Sequence, residues 1–190
     1  MSGPFPRDIV ERARRVRLAA FDVDGVLTDG RLLLGPRGEE LKCFHARDGQ
    51  GLVMLREAGF EIAILTGRSS PVVADRMAEL GIHYVHQGCK DKLAVLDALL
   101  AILNLSPEEV SYTGDDLPDL AVARRVGLAV AVADAHPALA RHCHFRTRLA
   151  GGQGAVREIC DLLLLARGVL LAEDLAPVAG GPAPGFHRFR

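Results

Sequence analysis

Three short clusters of acidic, hydroxyl and glycine residues punctuate this 190-residue chain: Asp22-Val23-Asp24-Gly25, Thr66-Gly67-Arg68, and Gly114-Asp115-Asp116 with Asp119 just beyond. Lys90 and Lys92 form a fourth. Were these segments to meet, Asp22, Asp24, Asp115, Asp116 and Asp119 would crowd several carboxylates together, which is unfavourable without a cation. Oxygen donors at high charge density select a hard ion, and Mg²⁺ suits a site that also handles phosphate. Thr66 and the N–H groups around Gly67 can receive phosphoryl oxygens, and a lysine can offset their charge. The DxD spacing turns two side chains the same way at a strand end. One carboxylate can then attack phosphorus and form an aspartyl-phosphate. The other can protonate the leaving oxygen and afterwards activate water. The set points to metal-assisted phosphoryl transfer.

Each fragment alone has a plainer reading. DxDG could be a turn or a calcium loop, although Val26-Leu27 add no oxygen ligands. Thr66-Gly67-Arg68 could be a strand-to-helix turn, and Gly114-Asp115-Asp116 a helix cap with a solvated acid beside it. Such readings leave the order unexplained, because each cluster follows its own apolar run.

Those runs define the elements that must position the chemistry. Leu18-Ala19-Ala20-Phe21 is a continuous apolar stretch, the mark of a strand buried on both faces. Glu61–Leu65, Tyr84–His86, Val110–Thr113 and Leu128–Val132 read likewise as strands. Helices are expected over Arg7–Arg17, Asp48–Ala58 with Asp48 as N-cap, Pro71–Leu80, Lys90–Leu103, Leu117–Arg125 and Ala155–Arg167. Arg31–Leu34 and Glu40–Phe44, separated by Gly35-Pro36-Arg37-Gly38, read as a hairpin. Alternation of this kind implies an α/β fold, a three-layer, Rossmann-like, doubly wound parallel sheet. In such a sheet the crevice lies beyond the carboxyl ends of the strands, where all four clusters fall. One domain is expected over residues 1–172, followed by a flexible Gly/Pro-rich tail over 173–190.

Composition excludes other classes. With 23 basic and 24 acidic side chains the net charge is −1, which gives no global field for holding nucleic acid. No apolar stretch is long enough for a membrane span. Four scattered cysteines without a CxxC pair fit reduced thiols in a cytoplasmic protein. Of the 23 basic residues only Lys42, Lys90 and Lys92 are lysine.

The motifs are similar to those of a known family. Phe21 through Gly30, Leu65 through Arg68, Lys92, and Gly114 through Asp119 resemble the four ordered motifs of the haloacid dehalogenase superfamily. Gly38 through Lys42, Arg47-Asp48-Gly49, Gln87-Gly88, Val132 through Pro137 and Gly151 through Glu158 resemble its 3-deoxy-D-manno-octulosonate 8-phosphate phosphatase family. The resemblance implies that Asp22 is nucleophile and metal ligand, and that Asp24 is acid/base and binds the metal through its carbonyl. It implies that Asp115 is the third ligand and that Thr66 and Gly67 hold the phosphoryl group. Lys92 fits the motif lysine better than Lys90, and Asp116 and Asp119 would orient the metal ligands or the lysine. Arg68 and Arg157 are candidates for the substrate's carboxylate or phosphate.

The family has no cap domain, and between Gly30 and Asp48 there is room only for a hairpin over about 31–44. By resemblance a homotetramer covers the site, and the apolar Leu32, Leu33, Leu34, Leu41 and Phe44 independently favour association. The implied activity is Mg²⁺-dependent hydrolysis of a small phosphorylated sugar acid, in lipopolysaccharide precursor synthesis. The alternatives are a related nine-carbon 3-deoxy sugar acid phosphate as substrate, or an idle oligomerisation module of a sugar cytidylyltransferase. An idle module would be free to lose Asp22, Asp24, Lys92 and Asp115.

Overall fold

Apolar runs of strand character alternate along the chain with segments whose apolar residues recur at helical spacing. The structure, a computed structural model, describes residues 4–37 and 40–175. The order is α1 (Arg7–Ala13), β1 (Leu18–Phe21), the hairpin strands β2 (Leu33–Leu34) and β3 (Glu40–Leu41), and α2 (Ala46–Glu57). Next come β4 (Glu61–Leu65), α3 (Pro71–Glu79), β5 (Tyr84–His86) and α4 (Lys92–Leu103). The second half holds β6 (Val110–Gly114), α5 (Leu120–Ala123), β7 (Leu128–Ala131), α6 (Pro137–Ala140), β8 (Phe145–Arg146) and α7 (Ala155–Ala166).

Six strands form one parallel sheet in the order β5-β4-β1-β6-β7-β8, and β2 pairs with β3 as a separate antiparallel hairpin. From β1 the chain first winds outward to β4 and β5, then returns to β6 on the other side. The direction of winding therefore reverses at β1, where a doubly wound sheet opens its crevice. Phe21 lies opposite Ile64 on one neighbour and Thr113 on the other, so the residues after these three strands share one rim.

Both faces of the sheet are covered, which is why β1 is apolar at every position. Ala19 and Phe21, with Ile62, Ile64 and Leu128, pack toward α1, α2 and α7. Leu18 and Ala20, with Ala63, Leu65 and Tyr112, pack toward α4 and α5. The result is the expected three layers, a helix layer on either side of the sheet.

Several boundaries differ from the sequence reading, each for a local reason. Helix α4 starts at Lys92 and not Lys90, because the Asp91 carboxylate accepts the N–H groups of Leu93 (3.0 Å) and Ala94 (3.1 Å) and so caps it. Helix α2 begins two residues before Asp48, capped by His45 Nδ1, which accepts from the Arg47 N–H. Asp48 is instead buried and accepts the Arg157 N–H at 2.7 Å, so it serves the first turn of α7 across the fold. Leu117–Arg125 is a 3₁₀ turn followed by a four-residue helix. Helix α6 and strand β8 are too short to leave a periodic signal. Residues 176–190 of the expected tail lie outside the described residues.

The hairpin strands are two residues each, shorter than expected, and Leu32, Leu33, Leu34 and Leu41 are 46%, 46%, 64% and 67% exposed. No helix among the described residues is long and apolar enough to cross a membrane. The four cysteines are unpaired.

Candidate active site

Asp22 follows directly on β1, and its N–H donates to the Thr113 carbonyl at 3.0 Å, so the sheet ladder fixes its backbone. One carboxylate oxygen, Oδ1, accepts the Val23 N–H at 2.6 Å. Three residues on, Gly25 has φ +85°, and a Cβ there would collide with the Asp115 carboxylate. The glycine in DxDG is thus required both by its left-handed backbone and by the close approach of β6. Behind it, the Gly152 N–H donates to the Val26 carbonyl at 2.9 Å, and any side chain on Gly151 would strike the Gly25 carbonyl. The glycine-rich loop before α7 thereby backs the loop after β1.

Lys92, the first residue of α4, points back along the helix axis into the site, as a side chain in a first turn does. Its ammonium donates to Asp22 Oδ2 and to Asp119 Oδ1, both at 2.6 Å. Asp119 is fully buried. Its Oδ1 also accepts from the Tyr112 hydroxyl at 2.6 Å, and its Oδ2 from the N–H groups of Asp115 (3.0 Å) and Asp116 (3.3 Å). One carboxylate therefore anchors the lysine and the backbone of the loop after β6 together.

Carboxylate oxygens of Asp22, Asp115 and Asp119 lie within 4.8 Å of one another. Burial, then repulsion from Asp119, pushes Asp22 up to about 6 despite Lys92. Burial, then Asp22 and Asp119, pushes Asp115 up to about 7. Burial works against the Lys92 ammonium, but Asp22 and Asp119 outweigh it and hold its pKa above the ordinary lysine value. A further positive charge is thus favoured between Asp22 and Asp115. Asp119 already has both oxygens engaged. The available donors are hard oxygens, the set that suits Mg²⁺.

These groups open onto a cleft of about 440 Å³ lined also by Asp24, Thr66, Gly67 and Arg68. Thr66 is buried, and its N–H and carbonyl are tied to the His86 carbonyl and the Cys89 N–H, each at 3.0 Å. Lys90 and Asp116 are exposed at the rim. A larger hollow, about 630 Å³, lies near Asn104 and Pro107 at the opposite end of the sheet and contains none of the strand-end clusters.

The structure does not bring Arg157 to this cleft. Its guanidinium pairs with Asp161 one turn along α7, at 2.7 Å, beside a separate depression near Arg47 and Arg148. Conversely, the candidate site residues read from the sequence did not include Tyr112, or Glu40 on β3 and Lys42 just after it, although Glu40 and Lys42 fall in the Gly38 to Lys42 stretch that carries the family resemblance. Lys42 bonds Asp24 Oδ1 and lies 3.2 Å from Glu40. A compositional signal for Lys42 existed: in an arginine-rich chain all three lysines sit at the cleft or on its residues.

Comparison with known proteins identifies the family. Residues 85–159 match the model of the haloacid dehalogenase-like hydrolase family. The 3-deoxy-D-manno-octulosonate 8-phosphate phosphatase KdsC of Escherichia coli (strain K12) is 51% identical over 168 residues, 88% of this chain and 89% of that protein. This chain belongs to the 3-deoxy-D-manno-octulosonate 8-phosphate phosphatase family. The crystal structure of the family's Yersinia pestis member superposes with a TM-score of 0.86 at 50% identity, covering 87% of this chain and 90% of that one. A Moraxella catarrhalis member, crystallised with magnesium ion, phosphate ion and KDO, gives a TM-score of 0.83 at 40% identity over 85% and 93% of the two chains. These family members thus share the overall fold seen here.

Proposed function

We propose that this protein is a Mg²⁺-dependent phosphatase that hydrolyses 3-deoxy-D-manno-octulosonate 8-phosphate through an aspartyl-phosphate on Asp22. The observation that carries the reading is the placement of Asp22. Its carboxylate is buried at the base of an anion-receiving cleft, held by Val23 N–H and Lys92, with Asp115 beside it. The names of the family members supply the substrate class.

Asp22, Asp115 and the Asp24 carbonyl would hold Mg²⁺, which neutralises phosphoryl charge when bound. Thr66 and Gly67 receive the phosphoryl oxygens, and Lys92 keeps Asp22 ionised and oriented. As Asp22 attacks phosphorus, Asp24 gives its proton to the departing sugar oxygen, which leaves as an alcohol. Asp24 then takes a proton from the water that cleaves the aspartyl-phosphate, regenerating Asp22 and releasing phosphate. Arg68, 45% exposed at the rim, is the candidate for gripping the substrate's carboxylate or phosphate. The product serves lipopolysaccharide precursor synthesis, a cytoplasmic role.

The test is phosphate release from that substrate with Mg²⁺ and with EDTA, repeated across pH. Activity is expected to vanish in EDTA and return with Mg²⁺. In the metal-free protein Asp22 and Asp115 keep protons up to about pH 6 and 7 that the unfolded chain releases near 3.8. Its stability should therefore fall as pH rises through that window. Mg²⁺ must displace those protons, so the rise in melting temperature that it causes should be larger at pH 8 than at pH 5. Equal shifts at both values would argue against these two ligands.

The exposed leucines of the hairpin are the contact through which a homotetramer would form and cover the cap-less cleft. Sedimentation should find a tetramer, and Leu34→Asp with Leu41→Asp should shift it to smaller species with a raised KM. A monomeric native chain at full activity would overturn the assembly.

A further inference from the structure

Lys42 is an anomaly on the hairpin. Its neighbours Leu34 and Leu41 are open to solvent, yet its side chain is only 1% exposed. An ammonium hidden from water is costly unless its protons are accepted. Two carboxylates do so here, Asp24 at Oδ1 and Glu40 at 3.2 Å. Glu40 is held in turn by Arg68 Nη2 at 3.1 Å, and Arg68 Nε lies 3.6 Å from Asp24 Oδ2. Hairpin, Arg68 and Asp24 thus form one continuous polar chain. A carboxyl that acts as general acid must deliver its proton from an oxygen that is not already accepting from an ammonium. With Oδ1 occupied, Asp24 has Oδ2 left to present, and it can no longer rotate freely.

We propose that Lys42 is a positioning residue for Asp24, fixing from the hairpin which carboxyl oxygen faces the departing sugar oxygen. The inference rests on the reading of Asp24 as proton donor. In the step concerned, the P–O bond to the sugar breaks with its electron pair on that oxygen. Oδ2 delivers the proton, leaving a neutral alcohol and an Asp24 carboxylate.

The experiment compares kcat/KM, which reports the steps up to alcohol release, for three substrates of the Mg²⁺-loaded enzyme. They are 3-deoxy-D-manno-octulosonate 8-phosphate, glucose 6-phosphate as a carboxylate-free ester of an equally poor leaving group, and p-nitrophenyl phosphate, whose leaving group needs no proton. Lys42→Met should lower kcat/KM for both sugar esters by about 10²-fold, the scale of general-acid catalysis, and spare p-nitrophenyl phosphate. Lys42→Arg, which keeps a cationic donor, should recover part of the loss. An equal loss on all three substrates would mean a merely structural role. A loss confined to the sugar acid would mean that Lys42 binds the substrate carboxylate, and no loss would mean that it does neither; each overturns the proposal. Asp24→Asn serves as reference. If it fails to spare p-nitrophenyl phosphate, the donor reading itself falls; if it does and Lys42→Met does not, only the role of Lys42 falls.

Discussion

Asp22→Asn is expected to lower turnover by about 10⁴-fold or more while leaving the fold intact, the scale seen when a covalent nucleophile is removed. The amide is nearly isosteric and can still accept the Val23 N–H, but it has no electron pair basic enough to displace an alcohol from phosphorus. Stability should hold or rise, because the wild-type carboxylate is already disfavoured by burial and by Asp119. Circular dichroism and thermal melting in EDTA, set beside single-turnover phosphate release, separate the two effects. A melting temperature that collapses with activity would make Asp22 a structural residue. Retained turnover would move the nucleophile elsewhere.

Lys92→Met is expected to cost both activity and stability. The lysine side chain is 4% exposed and is shared by Asp22 and by Asp119, itself 1% exposed. Removing one partner from a buried ionic cluster leaves the others uncompensated, at about 3–5 kcal/mol. Asp119 retains Tyr112 and two N–H groups, so the uncompensated charge falls chiefly on Asp22. Mg²⁺ should therefore restore part of the lost stability, and urea unfolding with and without the ion measures that part. Activity should remain at least about 10²-fold down even with the ion, as when one preorganised donor to developing charge is lost. An unfolding midpoint unchanged in EDTA would show that Lys92 does not carry the cluster.

The three strand-end clusters were legible along the chain because each is short, contiguous and preceded by a run that can only be a buried strand. Parallel strands then place residues after Phe21, Leu65 and Gly114 on one rim, with no knowledge of side-chain packing needed. The alternation of strands and helices likewise implied the layers, since each element's pattern is local. Other assignments depended on contacts between residues far apart in sequence. Lys92 and Lys90 differ by two positions, yet the Asp91 cap starts the helix between them, so one ammonium turns inward and the other stays at the rim.

Asp119 could equally have been a solvated helix acid; the 3₁₀ turn and its bonds to Lys92 and Tyr112 bury it. Asp48 looked like a cap for its own helix and proved to serve α7, 109 residues away. Arg157 looked like a substrate ligand, but the phase of α7 turns it to Asp161. Lys42 reaches Asp24 only because the hairpin folds back over the cleft. What the amino-acid order alone determined were the candidate reacting groups and the edge of the sheet where they gather, since these follow from short-range pattern. Which side chains orient those groups was decided by tertiary packing, because helix start, helix phase and hairpin direction are settled by burial among distant partners.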